Sequence, residues 1–134
     1  MKCSDAMLAR LRFADVMTMF ATSADRGEAI KALRYCSDDV VVGPPGEEKP
    51  RGALANLLMM RQVMDHRTRH HVGSPVIHDF GEDFIRGTCT VVSYKMAGDT
   101  SSFAVSDFEA TLSREGDDIW RISRLRMIPF ASFE

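Results

Sequence analysis

Cysteine is scarce in this chain. There are three, Cys3, Cys36 and Cys89, an odd number without metal-type spacing. A disulfide framework is therefore not expected, and the thiols read as reduced groups suited to a reducing compartment. Long apolar runs are missing too. The N-terminal segment is interrupted by Arg10, Arg12 and Asp15, so it offers neither a secretory leader nor the roughly 20 apolar residues of a membrane span. A cytoplasmic location is the expectation. Neither sign of charge dominates: 17 Lys and Arg face 19 Asp and Glu, for a net charge of −2. Arg61, Arg67 and Arg69 come nearest to a basic patch, but acidic residues follow closely. Nucleic acid and anionic membranes are accordingly not expected as partners. There is no nucleophile elbow, no paired-carboxylate motif and no repeat. Gly43-Pro44-Pro45-Gly46 lacks the lysine and the helix-opening geometry of a phosphate cradle. His66, His70 and His71 are close in sequence, yet no Cys or carboxylate follows at a ligand interval. Neither a metal nor an organic cofactor is expected.

What is present is an ordered division of the chain. Its 134 residues, 45% hydrophobic and 27% charged, suit one domain over 1–134 with a substantial core. The first half reads as helical. From about Ser4 to Thr22 no breaker occurs, and Met7, Leu11, Ala14, Met17, Phe20 and Ala21 share one face, with Leu8, Val16 and Met19 at its sides. Asp25-Arg26-Gly27-Glu28 has the form of a capping box with Asp25 as N-cap. The second helix would carry Ile30, Leu33 and Cys36 inward and end near Ser37-Asp38. Val40-Val41-Val42 is a short strand stopped by the Gly-Pro-Pro-Gly segment. A third helix runs from about Arg51 to His66 on a stripe of Leu54, Leu57, Leu58 and Met64.

Four strand candidates follow, about Arg69–Phe80, Phe84–Met96, Phe103–Arg114 and Ile119–Phe130, joined by turns that combine glycine with an acid. In the last, Trp120 and Ile122 have one parity and Leu125 and Met127 the other, which a bulge near Ser123-Arg124 reconciles. Helices first and an antiparallel meander second describe an α+β fold with helices on one face of a bent sheet.

This succession, with Asp25, Leu33, Ser37-Asp38-Asp39-Val40, Thr68-Arg69-His70, Gly87 and Trp120-Arg121-Ile122 as its carriers, resembles the nuclear transport factor 2-like superfamily. Within it the chain looks most like the SnoaL-like branch, over essentially its whole length. The resemblance implies a cone-shaped half-barrel: three helices on a strongly bent antiparallel sheet of four long strands plus a short one. It also implies an apolar pocket, lined here by Met17, Ala21, Phe108, Ala110 and Trp120, and a homodimer formed through the sheet's outer face. The superfamily hosts isomerases, dehydratases, cyclases, ring-hydroxylase small subunits and non-enzymatic binders, so these residues signal fold more than chemistry. At the places of the proton-transferring groups of ketosteroid isomerases stand Met17, Pro44 and Ala110. None of them donates or abstracts a proton, which excludes that chemistry with these residues. The strand histidine of scytalone-type dehydratases and the related dehydrochlorinase falls on His70, while their helix-one aspartate falls near Thr22.

His70 is thus the main candidate for chemistry, since an imidazole exchanges protons near neutral pH. The plainer alternative is a histidine bonded to a backbone carbonyl in a packed strand. His71 has the opposite parity and should face away. Asp25 is either the N-cap described above or, if the helix connection shifts, the partner of His70. Asp15 belongs at the helix margin. Asp107 and Glu109 belong on the outer face; Tyr94 could supply a hydroxyl, but it shares strand parity with Val92 and Met96, so packing is the plainer reading. Arg126, if the bulge turns it inward, would hold a carboxylate or enolate. The nine methionines are core filler that also suits a pocket adapting to ring systems. The expected function is binding of a small hydrophobic, cyclic molecule, with cofactor-independent isomerisation, dehydration or a related elimination through His70, Asp25 and Arg126. The alternative is a non-catalytic ligand-binding or scaffold subunit, like the small subunit of aromatic-ring-hydroxylating dioxygenases.

Overall fold

The computed structural model describes residues 3–63 and 67–133; Met64 and His66 lie outside these, and with them part of the third-helix stripe. In chain order the elements are α1 (Cys3–Asp25), α2 (Ala29–Leu33), β1 (Cys36–Gly43), β2 (Lys49–Pro50), α3 (Arg51–Val63), β3 (Arg67–Val72), β4 (Val76–Phe80), β5 (Phe84–Ala97), β6 (Thr100–Gly116) and β7 (Ile119–Phe133). The strands form one open sheet in the order β2-β1-β7-β6-β5-β3, with β4 also pairing β5. The α+β class is as expected. The strand count is corrected to seven, and the sheet is mixed, because β1 runs parallel to β7.

The first long strand is in fact two. Gly73-Ser74-Pro75 interrupts it, and β3 and β4 pair successive stretches of β5. Pro75 has no N–H to give a ladder. At Gly73 the backbone comes so close to β5 that its N–H donates to Thr90 O at 2.8 Å, and a Cβ there would stand 3.0 Å from that oxygen. The two later hairpins follow the sequence. Gly98 takes φ +60° in the β5–β6 turn and Asp118 φ +57° in the β6–β7 turn, a conformation that Gly adopts freely and Asp tolerates. The bulge in β7 is present: Ile122 pairs Leu112 and Arg124 pairs Thr111, leaving Ser123 as the extra residue, its hydroxyl donating to Thr111 O at 3.1 Å.

Helix α1 differs from expectation in face and in length. Its buried stripe is Ala9, Phe13, Val16, Met17, Phe20 and Ala24, whereas Met7 and Leu11 are exposed. The helix is apolar around much of its circumference, so periodicity alone does not choose the face. Phe13 chooses it: its ring packs over Gly87 of β5, where an added Cβ would lie 3.1 Å from Phe13 Cε2 and 2.9 Å from Val76 O. The supposed capping box is a C-terminal cap. Glu28 N–H donates to Ser23 O at 2.9 Å and Gly27 N–H to Ala24 O at 3.2 Å, with Gly27 at φ +73°. This is the Schellman pattern, and it makes Asp25 the last helical residue of α1 rather than the N-cap of α2. Helix α2 shrinks to five residues, preceded by Glu28 without a side-chain cap. It buries Ala29, Ala32 and Leu33, not Ile30, and Cys36 is buried from β1 instead. No described helix is long and apolar enough to cross a membrane.

Candidate active site

Three elements converge at the C-terminal end of α1. Asp25 closes that helix, His70 comes from β3, and Arg61 from the last turn of α3. Alternation in β3 turns Thr68, His70 and Val72 toward the helices and leaves Arg67, Arg69 and His71 exposed. The ring Nδ1 of His70 lies 2.6 Å from Asp25 Oδ1, and the His70 backbone N–H donates to Asp25 Oδ2 at 2.6 Å. Arg61 Nη2 donates to the same Oδ1 at 3.3 Å. The Asp25 side chain is only 5% exposed and that of His70 17%.

Burial by itself would raise the Asp25 pKa. Hydrogen bonds from the His70 ring and backbone, with the charges of His70 and Arg61, outweigh it and hold the carboxyl below its ordinary value. An ionised Asp25 is an acceptor only, so the hydrogen in the Asp25–His70 contact sits on Nδ1. Nε2 is the nitrogen left for a ligand. This arrangement fixes tautomer and ring orientation together.

The His70 ring and Arg61 border a cavity of about 70 Å³ whose other walls are apolar: Phe20, Ala21 and Ala24 of α1, three leucines of α3, and Val42, Phe108, Leu125 and Met127 of the sheet. Larger hollows, of about 450 and 520 Å³, lie elsewhere and are more polar and open. Of the residues singled out in the sequence, Asp25, His70, Ala21 and Phe108 are brought together here. Met17 is buried in the core but does not border the cavity. Ala110 is buried in the core beside its β7 partner Leu125 and likewise does not border the cavity. Trp120 sits at the far end of α1, under the Arg12 guanidinium, which is 5.3 Å from its ring and 2.7 Å from Asp118.

Arg126 is corrected as well. The bulge at Ser123 turns Leu125 and Met127 inward, so Arg124 and Arg126 project from the opposite face. There Arg126 meets Glu48 and Glu109, each at 3.3 Å. Helix α1 runs one turn further than the expected end at Thr22 and closes on Asp25. The sequence marks Arg61 only as part of a weak basic patch, although Leu54, Leu57, Leu58 and Arg61 have the i, i+3, i+4, i+7 spacing of one helix face. The buried thiols are unsuited to nucleophilic work: burial pushes Cys36 up to about 12 and Cys89 to about 11.

Several solved structures share this fold. A provisionally assigned scytalone dehydratase from Novosphingobium aromaticivorans superposes with a TM-score of 0.84 at 16% identity, over 96% of this chain and 89% of its own. The hexachlorocyclohexane dehydrochlorinase LinA type 2 gives 0.80 at 17% identity, over 98% and 91%. The β subunit of a provisionally assigned aromatic-ring-hydroxylating dioxygenase from N. aromaticivorans gives 0.79 at 16%, over 94% and 92%. At these identities the likeness is one of fold. No curated protein matches the sequence. The SnoaL-like domain profile, by contrast, matches residues 5–126, nearly the whole chain, and this protein belongs to the SnoaL-like family.

Proposed function

We propose that this protein binds a small cyclic organic molecule beside His70 and moves a proton on it without a cofactor. The observation that carries the reading is the 2.6 Å contact between Asp25 Oδ1 and His70 Nδ1 at the wall of an apolar cavity. With Nδ1 committed to the carboxylate, Nε2 acts as the base. It takes a proton from a ligand carbon, and Asp25 steadies the imidazolium that forms. In an isomerisation the proton returns at another carbon. In a dehydration or related elimination the C–H electron pair becomes the new double bond, and the neighbouring substituent leaves with its own bonding pair. The likeness in fold to a dehydrochlorinase and a dehydratase-assigned protein supports this class.

The test needs no natural substrate. The protein is incubated with cyclohexenone in D₂O, and deuterium incorporation is followed by NMR. Wild type is expected to accelerate exchange and His70→Gln to return it to the buffer rate. Equal rates for the two proteins would remove His70 as the base. A homodimer through the outer face of the sheet is part of the same proposal. The exposed apolar row on that face, Tyr94, Phe103 and Phe133, supports it. The scaffold alternative draws on the fold of the dioxygenase β subunit. It would gain from co-purification with a larger iron-containing chain and from the absence of exchange in wild type.

A further inference from the structure

The cavity beside His70 is too small for the ligand class just described. At about 70 Å³ it has less than half the roughly 150 Å³ that accommodates a benzene ring. On the other side of Arg61 lies a second, polar cleft of about 200 Å³, lined among others by Asp25, Arg26, Gln62 and Thr68. Arg61 and Ala24 are the residues that border both spaces. Ala24 belongs to the buried stripe of α1, and its methyl group has no rotamer to change. Arg61 is long and partly exposed, and it belongs to α3, whose only buried residues are Leu54 and Leu58.

The hydrogen bonds around Asp25 are unequal. Both contacts from His70 are 2.6 Å long, whereas the one from Arg61 is 3.3 Å, beyond the ordinary range for a charge-assisted pair. Asp25 therefore keeps its hold on His70 without Arg61, and the guanidinium can exchange this acceptor for another at small loss. An arginine stays charged under all ordinary conditions. Among the described residues that line the apolar cavity it is, apart from His70, the only polar side chain. A negative oxygen created on a ligand by proton loss to His70 would find no other fixed cation among the described residues at the cavity, and in such surroundings a fixed positive charge is most effective.

We propose that Arg61 is both gate and anchor: it leaves Asp25 to hold a ring-borne oxyanion, and this movement joins the apolar cavity to the polar cleft. The ligand class is a one-ring molecule with an ionisable or enolisable oxygen on the ring. The proposal rests on the reading of the His70 cavity as the ligand site, and the experiment separates the two.

Binding of two probes of nearly equal shape, p-nitrophenolate and nitrobenzene, is measured by calorimetry on wild type, Arg61→Met and Arg61→Lys. Wild type is expected to bind both. Arg61→Met should weaken p-nitrophenolate by roughly ten- to a hundredfold, the worth of a charge-assisted hydrogen bond, while nitrobenzene stays within about twofold. Arg61→Lys should recover part of the anion binding. Retained nitrobenzene binding also shows that the variant is folded around an intact cavity. Equal loss of both probes, or no loss of p-nitrophenolate, would make Arg61 a structural wall and overturn the anchor while leaving the His70 site standing. Wild type that binds nitrobenzene but not p-nitrophenolate would do the same. Binding of neither probe by wild type would overturn both readings.

Discussion

Asp25 is the residue on which the site depends, and its chemistry is exposed to a pH test. Two oxygens of one nearly buried carboxylate accept N–H groups from His70 and Arg61. Replacing Asp25 by Asn keeps the shape but removes the charge and puts an amide N–H₂ where an acceptor stood. The His70 ring then loses the group that keeps its proton on Nδ1, and the base at Nε2 is no longer enforced. Proton-exchange activity is expected to fall by about 10²- to 10⁴-fold in Asp25→Asn. Stability gives an independent reading. The folded-state pKa of Asp25 lies below its reference value of 3.8. Its carboxylate therefore stabilises the fold fully above that value, and the contribution fades as pH falls through the lower, folded-state pKa. Unfolding midpoints measured from pH 6 down to about pH 2 should show wild type losing this increment and Asp25→Asn lacking it. At neutral pH the variant should be less stable by about 1–3 kcal/mol. Parallel acid profiles for the two proteins would mean that Asp25 gains nothing from its partners.

At the scale of elements, the sheet and the third helix should differ in rigidity. Strands β5, β6 and β7 pair along most of their lengths and bury Ile85, Val91, Leu112, Ile122 and Leu125, so their amides should open only with the whole fold. Helix α3 buries only Leu54 and Leu58 and exposes Met59, Met60 and Val63. Hydrogen exchange should show α3 opening at least about 2 kcal/mol below the global value, ahead of α1 and β6. Protection in α3 equal to that in β6 would remove the mobile wall that the proposed movement of Arg61 requires. The same contrast explains what the sequence disclosed. The meander was legible because alternation and glycine-containing turns are local, and the parity change at Ser123 located a bulge from side-chain order alone. The face of α1 was not, because an almost uniformly apolar helix needs a tertiary partner to orient it, here Phe13 against Gly87. Asp25-Arg26-Gly27-Glu28 fits an N-cap and a C-cap equally well as a string, and only the bonds of Glu28 and Gly27 back to Ser23 and Ala24 decide between them. That one ambiguity hid the Asp25–His70 pair, whose members stand 45 residues apart.

At the scale of the whole molecule, the two faces of the sheet carry different obligations. The inner face is covered by α1. The outer face divides into a charged part, where Arg126 meets Glu109 and Arg124 meets Glu48, and an apolar end, where Tyr94, Phe103 and Phe133 form a row. Phe103 and Phe133 stack with centroids 4.7 Å apart, yet each remains nearly half exposed, as does Tyr94. Scattered apolar residues on a surface need no explanation, but a contiguous aromatic row beside alternating charges suits the proposed homodimer interface. A twofold axis near this row would set the aromatics of one copy against those of the other, and the surrounding pairs would form a polar rim. Wild type is therefore expected to scatter light as twice the 15.0 kDa chain at micromolar concentration. Phe103→Glu would place two like charges in the apolar centre and should shift the mass toward one chain. Phe103 stands on the face of the sheet opposite the His70 cavity, so nitrobenzene binding should persist in the monomer. Wild type with the mass of one chain would remove the dimer. A dimeric Phe103→Glu would move the contact to another face, because a centre that tolerates two buried carboxylates is not the one described.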